Sequence, residues 1–296
     1  MRRLAKYFAA PLAIALLGGC TYASEMIGVE QPGSANLTHV TAVPEIAAMV
    51  PDAIKADGRL TIASELTYAP MGFVGPDGRT AVGMDIDIAE AIAAVMGLEP
   101  EIMSSSFDAI IPSLGTRYEL GVSAFTVTAA RLDAVNMVSY LTAGSQLAVR
   151  TGNPDAVYPG DLCGISIAVQ VGTVQHEDLE ALNRGECAGN PVQIFPYDSQ
   201  ADATANLVGG RVAAMFADSP ITGYAVAQTD SALEEIGEVF DAAPYGIVIA
   251  RPDVELARAV QAAVQYLIDN GTMAQIAEHW GNTQMLIETA QLWTTP

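Results

Sequence analysis

An α/β fold of two lobes, each a mostly parallel sheet flanked by helices and joined by a two-strand hinge, is predicted from three observations. From Leu60 onward, short apolar runs alternate with helix-length amphipathic segments, which is the pattern of strand–helix units building parallel sheets. Two extended apolar segments, 146–149 and 246–250, stand between blocks of that alternation and suit strands that cross from one domain to another and back. The chain has 296 residues, 51% hydrophobic and 16% charged, enough for the cores of one large or two medium domains. The expected division is 57–147 plus 248–296 for the first lobe and 148–247 for the second.

The N-terminus is a separate case. Arg2, Arg3 and Lys6 precede an apolar run over 8–17 that is too short to span a bilayer, and Leu17-Gly18-Gly19-Cys20 follows. Positive start, apolar middle and small-residue end make 1–19 a signal peptide. Its end resembles the lipobox of bacterial lipoproteins, which implies a lipid on Cys20 as the mature N-terminus. An ordinary secretory signal with an incidental cysteine is the alternative. No other apolar run is long enough to cross a membrane, so the globular part is expected outside the cytoplasm, anchored by lipid. Residues 20–56 mix Pro, Gly, Ser and Thr with little period and are expected to form a tether, with a short helix near 45–50.

The body follows in order. Residues 60–63 suit a strand, 68–71 and 75–78 turns, and 85–96 a helix with apolar Ile88, Ile92 and Val95, stopped by Gly97. A strand at 101–103 and a helix at 107–114 lead to an apolar run at 120–122 and a loop, Ser123 to Thr128, before a helix start. Thr128 suits that start as its cap, and Arg131 three residues on can turn back toward the loop. Strands at 165–169, 192–195 and 212–216 alternate with helices at 172–183, 198–208 (capped by Asp198) and 219–228, the second stopped by Gly209-Gly210. Amphipathic helices at 254–268 and 273–280 close the chain.

Charge excludes one class of partner. A net charge of −21, which becomes −24 once the three N-terminal cations are removed, argues against nucleic acid, whose binding demands a basic stripe. Acidity of this kind speaks to solubility. His39, His176 and His279 are isolated, with no metal spacing and no nucleophile motif beside them, so no cofactor or metal is expected. Asp85 and Asp87 are explained by a helix N-terminus. Cys163 and Cys187 remain after processing; in an oxidising compartment such a pair suits a disulfide, with two free buried thiols as the alternative.

Five motifs in order carry a family likeness. Gly83-Met84-Asp85-Ile86-Asp87-Ile88 with Ala89-Glu90-Ala91-Ile92-Ala93, then Ile110-Ile111-Pro112-Ser113-Leu114, the Ser123–Arg131 loop, Gln170-Val171-Gly172-Thr173 and Ala217-Asp218 resemble the family 3 extracellular solute-binding proteins, the amino-acid receptors of ABC importers. Met84 departs mildly from the aromatic or branched residue usual there. The resemblance spans about residues 57 to 291 and implies the type II periplasmic-binding-protein fold, an amino-acid ligand, an ABC permease as partner and a monomer.

It also implies a site. An α-amino acid carries a carboxylate and an ammonium on one carbon. Arg131 suits the carboxylate, helped by the N–H groups of Thr126 and of Thr173 at a helix start. Asp218 suits the ammonium, with the Thr126 hydroxyl and the Ala124 carbonyl completing its acceptors; Ser123 opens the same loop. A serine is common in relatives where Ala124 stands. Tyr68 and Phe107 resemble the residues flanking the ligand side chain, with core packing as the alternative for each, more so for Phe107. Glu65 resembles the acid that meets the far end of basic ligands, and Gln170 is placed to reach the side chain; a solvated Glu65 is the alternative. No second arginine is available for an acidic side chain, so polar or basic ligands are favoured. A rival reading is an enzyme on the same fold, resembling periplasmic cyclohexadienyl or arogenate dehydratases, with Asp218 or Glu65 as a general acid if burial raises its pKa.

Overall fold

A computed structural model describes residues 33–294; the expected signal peptide and Cys20 lie outside them. The segment read as tether is folded from residue 33. It runs through α1 (Pro44–Ala47) and α2 (Asp52–Asp57), and it buries Ile46 and Val50 in the main core. Sparse apolar residues hid this: two anchors suffice when the surface that receives them belongs to another part of the chain.

β1 (Arg59–Ser64) leads into a small antiparallel sheet of β2 (Thr67–Tyr68), β3 (Gly72–Val74) and β4 (Ala81–Val82), where turns alone were expected. α3 (Met84–Val95) starts directly after it. Gly83 is required at this junction: its φ is +136°, and a Cβ there would lie 2.2 Å from the Met71 carbonyl oxygen. β5 (Glu99–Ser104), α4 (Phe107–Ser113), β6 (Leu120–Gly121) and the single-turn α5 (Ala129–Leu132) follow. The long strand β7 (Val135–Arg150) then leads to β8 (Ser166–Gln170), α6 (Val174–Arg184), β9 (Gln193–Tyr197), α7 (Gln200–Val208), β10 (Ala214–Asp218) and α8 (Ser219–Gln228). The second long strand, β11 (Leu233–Ala250), precedes α9 (Val254–Asp269), α10 (Thr272–His279) and β12 (Leu292–Trp293).

Among the described residues nine strands form one sheet in the order β5-β1-β6-β11-β7-β10-β8-β9, with β12 also on β7. The outer runs are parallel: β1 with β5 and β6, β8 with β9 and β10. Pairing turns antiparallel where β7 and β11 enter. These two strands pair along most of their length, through register breaks between Ile236 and Phe240, between Phe240 and Ala243, and between Tyr245 and Gly246. The first half of β7 borders β12 and the second half, Ser145 to Val149, borders β10. The last residues of β11, Val248 and Ile249, border β6.

Each end of the sheet is covered on both faces. α3, α9 and α10 cover one face of the β1 end, and Phe107, Ile110, Phe125 and Met137 fill the other. At the β8 end, Leu179 of α6 packs with Ile167 and Val169, while Ala203 and Leu207 of α7 pack with Met215. Cys163 and Cys187 are joined by a disulfide, and Cys187 is buried in this second core.

Two expectations about helix starts are corrected. Ser199, not Asp198, caps α7, its Oγ accepting from the Asp202 N–H at 3.0 Å. Asp85 and Asp87 are more than dipole partners: both are fully buried, Asp85 accepting from the Tyr140 hydroxyl at 2.7 Å and Asp87 from Trp280 Nε1 at 2.6 Å and Ala35 N–H at 2.9 Å. Among the described residues no helix is long and apolar enough to cross a membrane.

The disulfide closes a loop between positions 24 apart. Replacing both cysteines by serine is expected to lower the unfolding free energy by about 3 kcal/mol through the freed chain of the unfolded state, measured by urea titration of both proteins without reductant.

Candidate functional site

The site grows from the loop after β6. Ala124 adopts a φ of +50° and is buried. Two backbone bonds stitch the loop to β11: Val127 N–H donates to the Pro244 carbonyl at 2.8 Å, and Gly246 N–H to the Phe125 carbonyl at 2.7 Å. Thr128 caps α5 as expected, its Oγ accepting from the Arg131 N–H at 3.3 Å.

Arg131 then folds back over the loop. Nη1 donates to the Thr126 carbonyl at 2.8 Å and Nη2 to the Gly172 carbonyl at 3.1 Å. The guanidinium carbon lies 5.5 Å from the Phe107 ring centre and 5.4 Å from that of Phe125, the two rings stacked 4.4 Å apart. Among the described residues no carboxylate pairs with it. Burial lowers its pKa, an effect opposed by the charges of Glu177 and Asp218. The Gly172 carbonyl is reached because residue 172 has φ +78° and no side chain, with the Asp108 Cβ 3.3 Å from where one would stand.

Asp218 ends β10 at the first turn of α8 and is buried. Its oxygens accept from the Tyr68 hydroxyl at 2.7 Å and from Gln175 Nε2 at 2.8 Å, and the same Gln175 nitrogen lies 2.8 Å from Ser145 Oγ. Its partners are neutral hydroxyl and amide groups. Burial raises its pKa, while the hydrogen bonds of Tyr68 and Gln175 and the charge of Arg131 pull it down. Tyr68 and Tyr245 sit well above the usual phenol value, buried beside that carboxylate.

Thr173 caps α6: its Oγ accepts from the His176 N–H at 3.3 Å while its hydroxyl donates to the Gln170 carbonyl at 2.8 Å. The Thr126 and Thr173 N–H groups donate to no partner among the described residues. Both residues face one small, nearly filled cavity together with Arg131 and Asp218. Tyr68, Phe107 and Ala124 wall it from the β1 end of the sheet, and Val174 and Gln175 from the β8 end. One cavity thus presents a cation and free N–H donors on one side and a carboxylate on another.

Residues 60–283 match the sequence profile of the bacterial extracellular solute-binding proteins, family 3. This chain belongs to that family. It is 33% identical to the arginine-binding protein ArgT of Corynebacterium glutamicum over 259 residues, covering 86% of this chain and 84% of the relative. An ancestral arginine-binding protein bound to arginine superposes with a TM-score of 0.71 at 30% identity, covering 75% of this chain and 98% of the other. A mutant of ArgBP from T. maritima superposes with a TM-score of 0.72 at 28% identity, over 78% of this chain and 98% of that one. These neighbours carry the type II periplasmic-binding-protein architecture expected above.

Three residues that the family likeness pointed to are set back from this solute-binding protein's cavity. Ser123 spends its hydroxyl oxygen accepting from the Glu65 N–H at 3.1 Å. Glu65 is buried, and one of its oxygens accepts from Thr67 Oγ1 at 2.7 Å while Oε2 has no partner among the described residues. Gln170 donates to the Asp198 carbonyl at 3.2 Å, is close enough to stabilise the Glu65 carboxylate, and leaves its own Oε1 unpartnered. Burial raises the Glu65 pKa. Sequence reasoning missed Gln175, which reads as an exposed helix residue, and Phe125 and Tyr140, which read as plain core. Among the described residues no cluster of His, Cys, Asp or Glu could hold a metal ion.

Burial holds the Asp85 pKa at about 7 and raises those of Asp218 and Glu65. A carboxyl whose folded pKa is raised keeps a proton that the unfolded chain has lost, so its contribution to stability declines as pH rises from its unfolded value to its folded one. For Asp85 that window runs from about 4 to about 7. The melting temperature without ligand should therefore fall between about pH 4 and about pH 7, and Asp85→Asn should make that fall smaller; an unchanged difference by scanning calorimetry would contradict the assignment.

Proposed function

We propose that this protein captures a free α-amino acid, polar or basic by preference, between two lobes and delivers it to an ABC importer. The observation that carries the reading is the pairing of unmet charges: Arg131, without an ion pair, and Asp218, held by neutral donors, face the same cavity. A carboxylate entering that cavity meets the Arg131 fork and the free Thr126 and Thr173 N–H groups, the latter at the N-terminus of α6 where negative charge is favoured. The α-ammonium meets Asp218. Arginine is the first candidate. Glu65 Oε2 and Gln170 Oε1, set back behind the cavity lining, are buried acceptors without donors among the described residues, and a ligand guanidinium that reaches past that lining brings several N–H groups. The names of the relatives above support the same choice.

The lobes in this reading meet in the middle of β7 and β11. Ser145 to Val149 pair with β10, and Val248 and Ile249 pair with β6, so the change of lobe belongs near 142–144 and 240–245, a few residues before the boundaries drawn from the sequence. Hydrogen bonds cross between the lobes from Tyr68 to Asp218, from Arg131 to Gly172 and from the Gln200 N–H to Thr67 Oγ1. A ligand that touches both lobes shifts them toward closure by its differential affinity for the two forms. A micromolar ligand supplies about 8 kcal/mol in all. The reading includes a lipid on Cys20, from the lipobox, that keeps the receptor at the membrane outside the cytoplasm.

Calorimetric titration with arginine, lysine, glutamine, cystine and glutamate tests the reading. Arginine is expected to bind tightest and glutamate weakest. Arg131→Ala should weaken binding by about 100-fold or more, the loss of a charge-assisted two-point contact, and Glu65→Gln should narrow the gap between arginine and glutamine. Absence of binding by any α-amino acid, or an Arg131→Ala protein that binds as before, defeats it. Conversion of prephenate or arogenate to phenylpyruvate or phenylalanine would replace it with the dehydratase reading. A full-length Cys20→Ser variant should leave the membrane fraction for the soluble one; retention there would remove the lipid anchor.

A further inference from the structure

Ala124 is a non-glycine residue held in the left-handed region, a conformation that residues with a Cβ keep only where their surroundings enforce it. The enforcement comes from behind the cavity. Its N–H donates to the Tyr140 hydroxyl oxygen at 3.1 Å, and that hydroxyl donates to Asp85 Oδ1 at 2.7 Å. Asp85 stands in the first turn of α3, whose start is locked by the close packing of Gly83 on Met71. Tyr140 and Asp85 are fully buried, and neither lines the cavity. On the cavity side, Ala124 is a wall residue beside Asp218, and its carbonyl accepts no hydrogen bond among the described residues. The peptide group on the N-terminal side of Ala124 is therefore pinned through a chain of two hydrogen bonds, and the one on its C-terminal side is left with a free acceptor.

We infer that Tyr140, braced by Asp85, is a positioning residue that holds Ala124 so that its carbonyl, with Asp218, receives the α-ammonium of the ligand. The inference deepens the amino-acid reading and rests on it. Neither side chain touches the ligand; the pair acts on selectivity for a compound that carries an amino group over one that lacks it. A left-handed residue without its pin relaxes toward the ordinary backbone regions and carries its carbonyl away. The cost falls on the ammonium contact and leaves the carboxylate contact with Arg131 in place.

The test uses L-arginine and its des-amino analogue, 5-guanidinopentanoic acid, titrated into the wild type and Tyr140→Phe. In the wild type arginine should bind far more tightly than the analogue. In Tyr140→Phe arginine should lose about tenfold, about the worth of one hydrogen bond to a charged group, while the analogue stays within about twofold. A structural role alone would weaken both equally, and that result, or no change in either, overturns the inference. Asp85→Leu, which removes the brace and a buried carboxyl together, is the second variant if Tyr140→Phe does not fold; it should shift the same ratio in the same direction, and an unchanged ratio counts against the inference. If the wild type binds neither compound, the arginine reading fails, and the inference fails with it.

Discussion

The site depends on two charges that the protein leaves unneutralised by each other. Enclosing a charge is costly unless hydrogen bonds replace the lost water. Arg131 meets that cost with two backbone carbonyls and two aromatic faces, and Asp218 meets it with a hydroxyl and an amide. Neutral partners satisfy geometry without cancelling charge. Attraction therefore remains for a ligand of the opposite pattern, and a direct Arg131–Asp218 ion pair would have removed it.

Much of the fold is arranged to supply those neutral partners from distant parts of the chain. β7 and β11 run through both ends of one sheet and carry parallel strands on either side, so the carboxyl ends of β6 and β10 approach each other. The loop after β6 brings Ala124, Thr126 and Arg131, while the loop after β8 and the end of β10 bring Gly172, Thr173 and Asp218. Loops beyond the carboxyl ends of parallel strands are where such sheets bind ligands. The register breaks in β11 lie between the two ends and suit a hinge.

Local signals carried a large part of this architecture. Apolar spacing marked α3 and α9, whose Ile88, Ile92 and Val95 and Val260, Val264 and Leu267 are all buried. Thr128 announced α5 because a capping oxygen acts within three residues. The first part of β11 was not legible, because most of 233–245 is exposed and its polar residues read as loop. The packed segment after residue 33 and the true cap of α7 escaped for related reasons: the first depends on a surface built elsewhere, and the second on which of two adjacent polar residues faces the helix.

The site divides in the same way. Arg131, Thr126, Thr173 and Asp218 were identifiable from ordered motifs because each stands at a strand-to-helix junction with its own local signature. Their meeting in one cavity was not, and neither was the support from Gln175, Tyr140 and Asp85, whose partners lie 43, 16 and 55 positions away. By itself, the sequence determined the strands and helices with a clear apolar period or a local cap and the residue types at their ends, because periodicity and capping are short-range. Only the tertiary structure decided which buried polar groups are partnered and which are left open, because hydrogen bonding across the core joins residues that no local pattern connects.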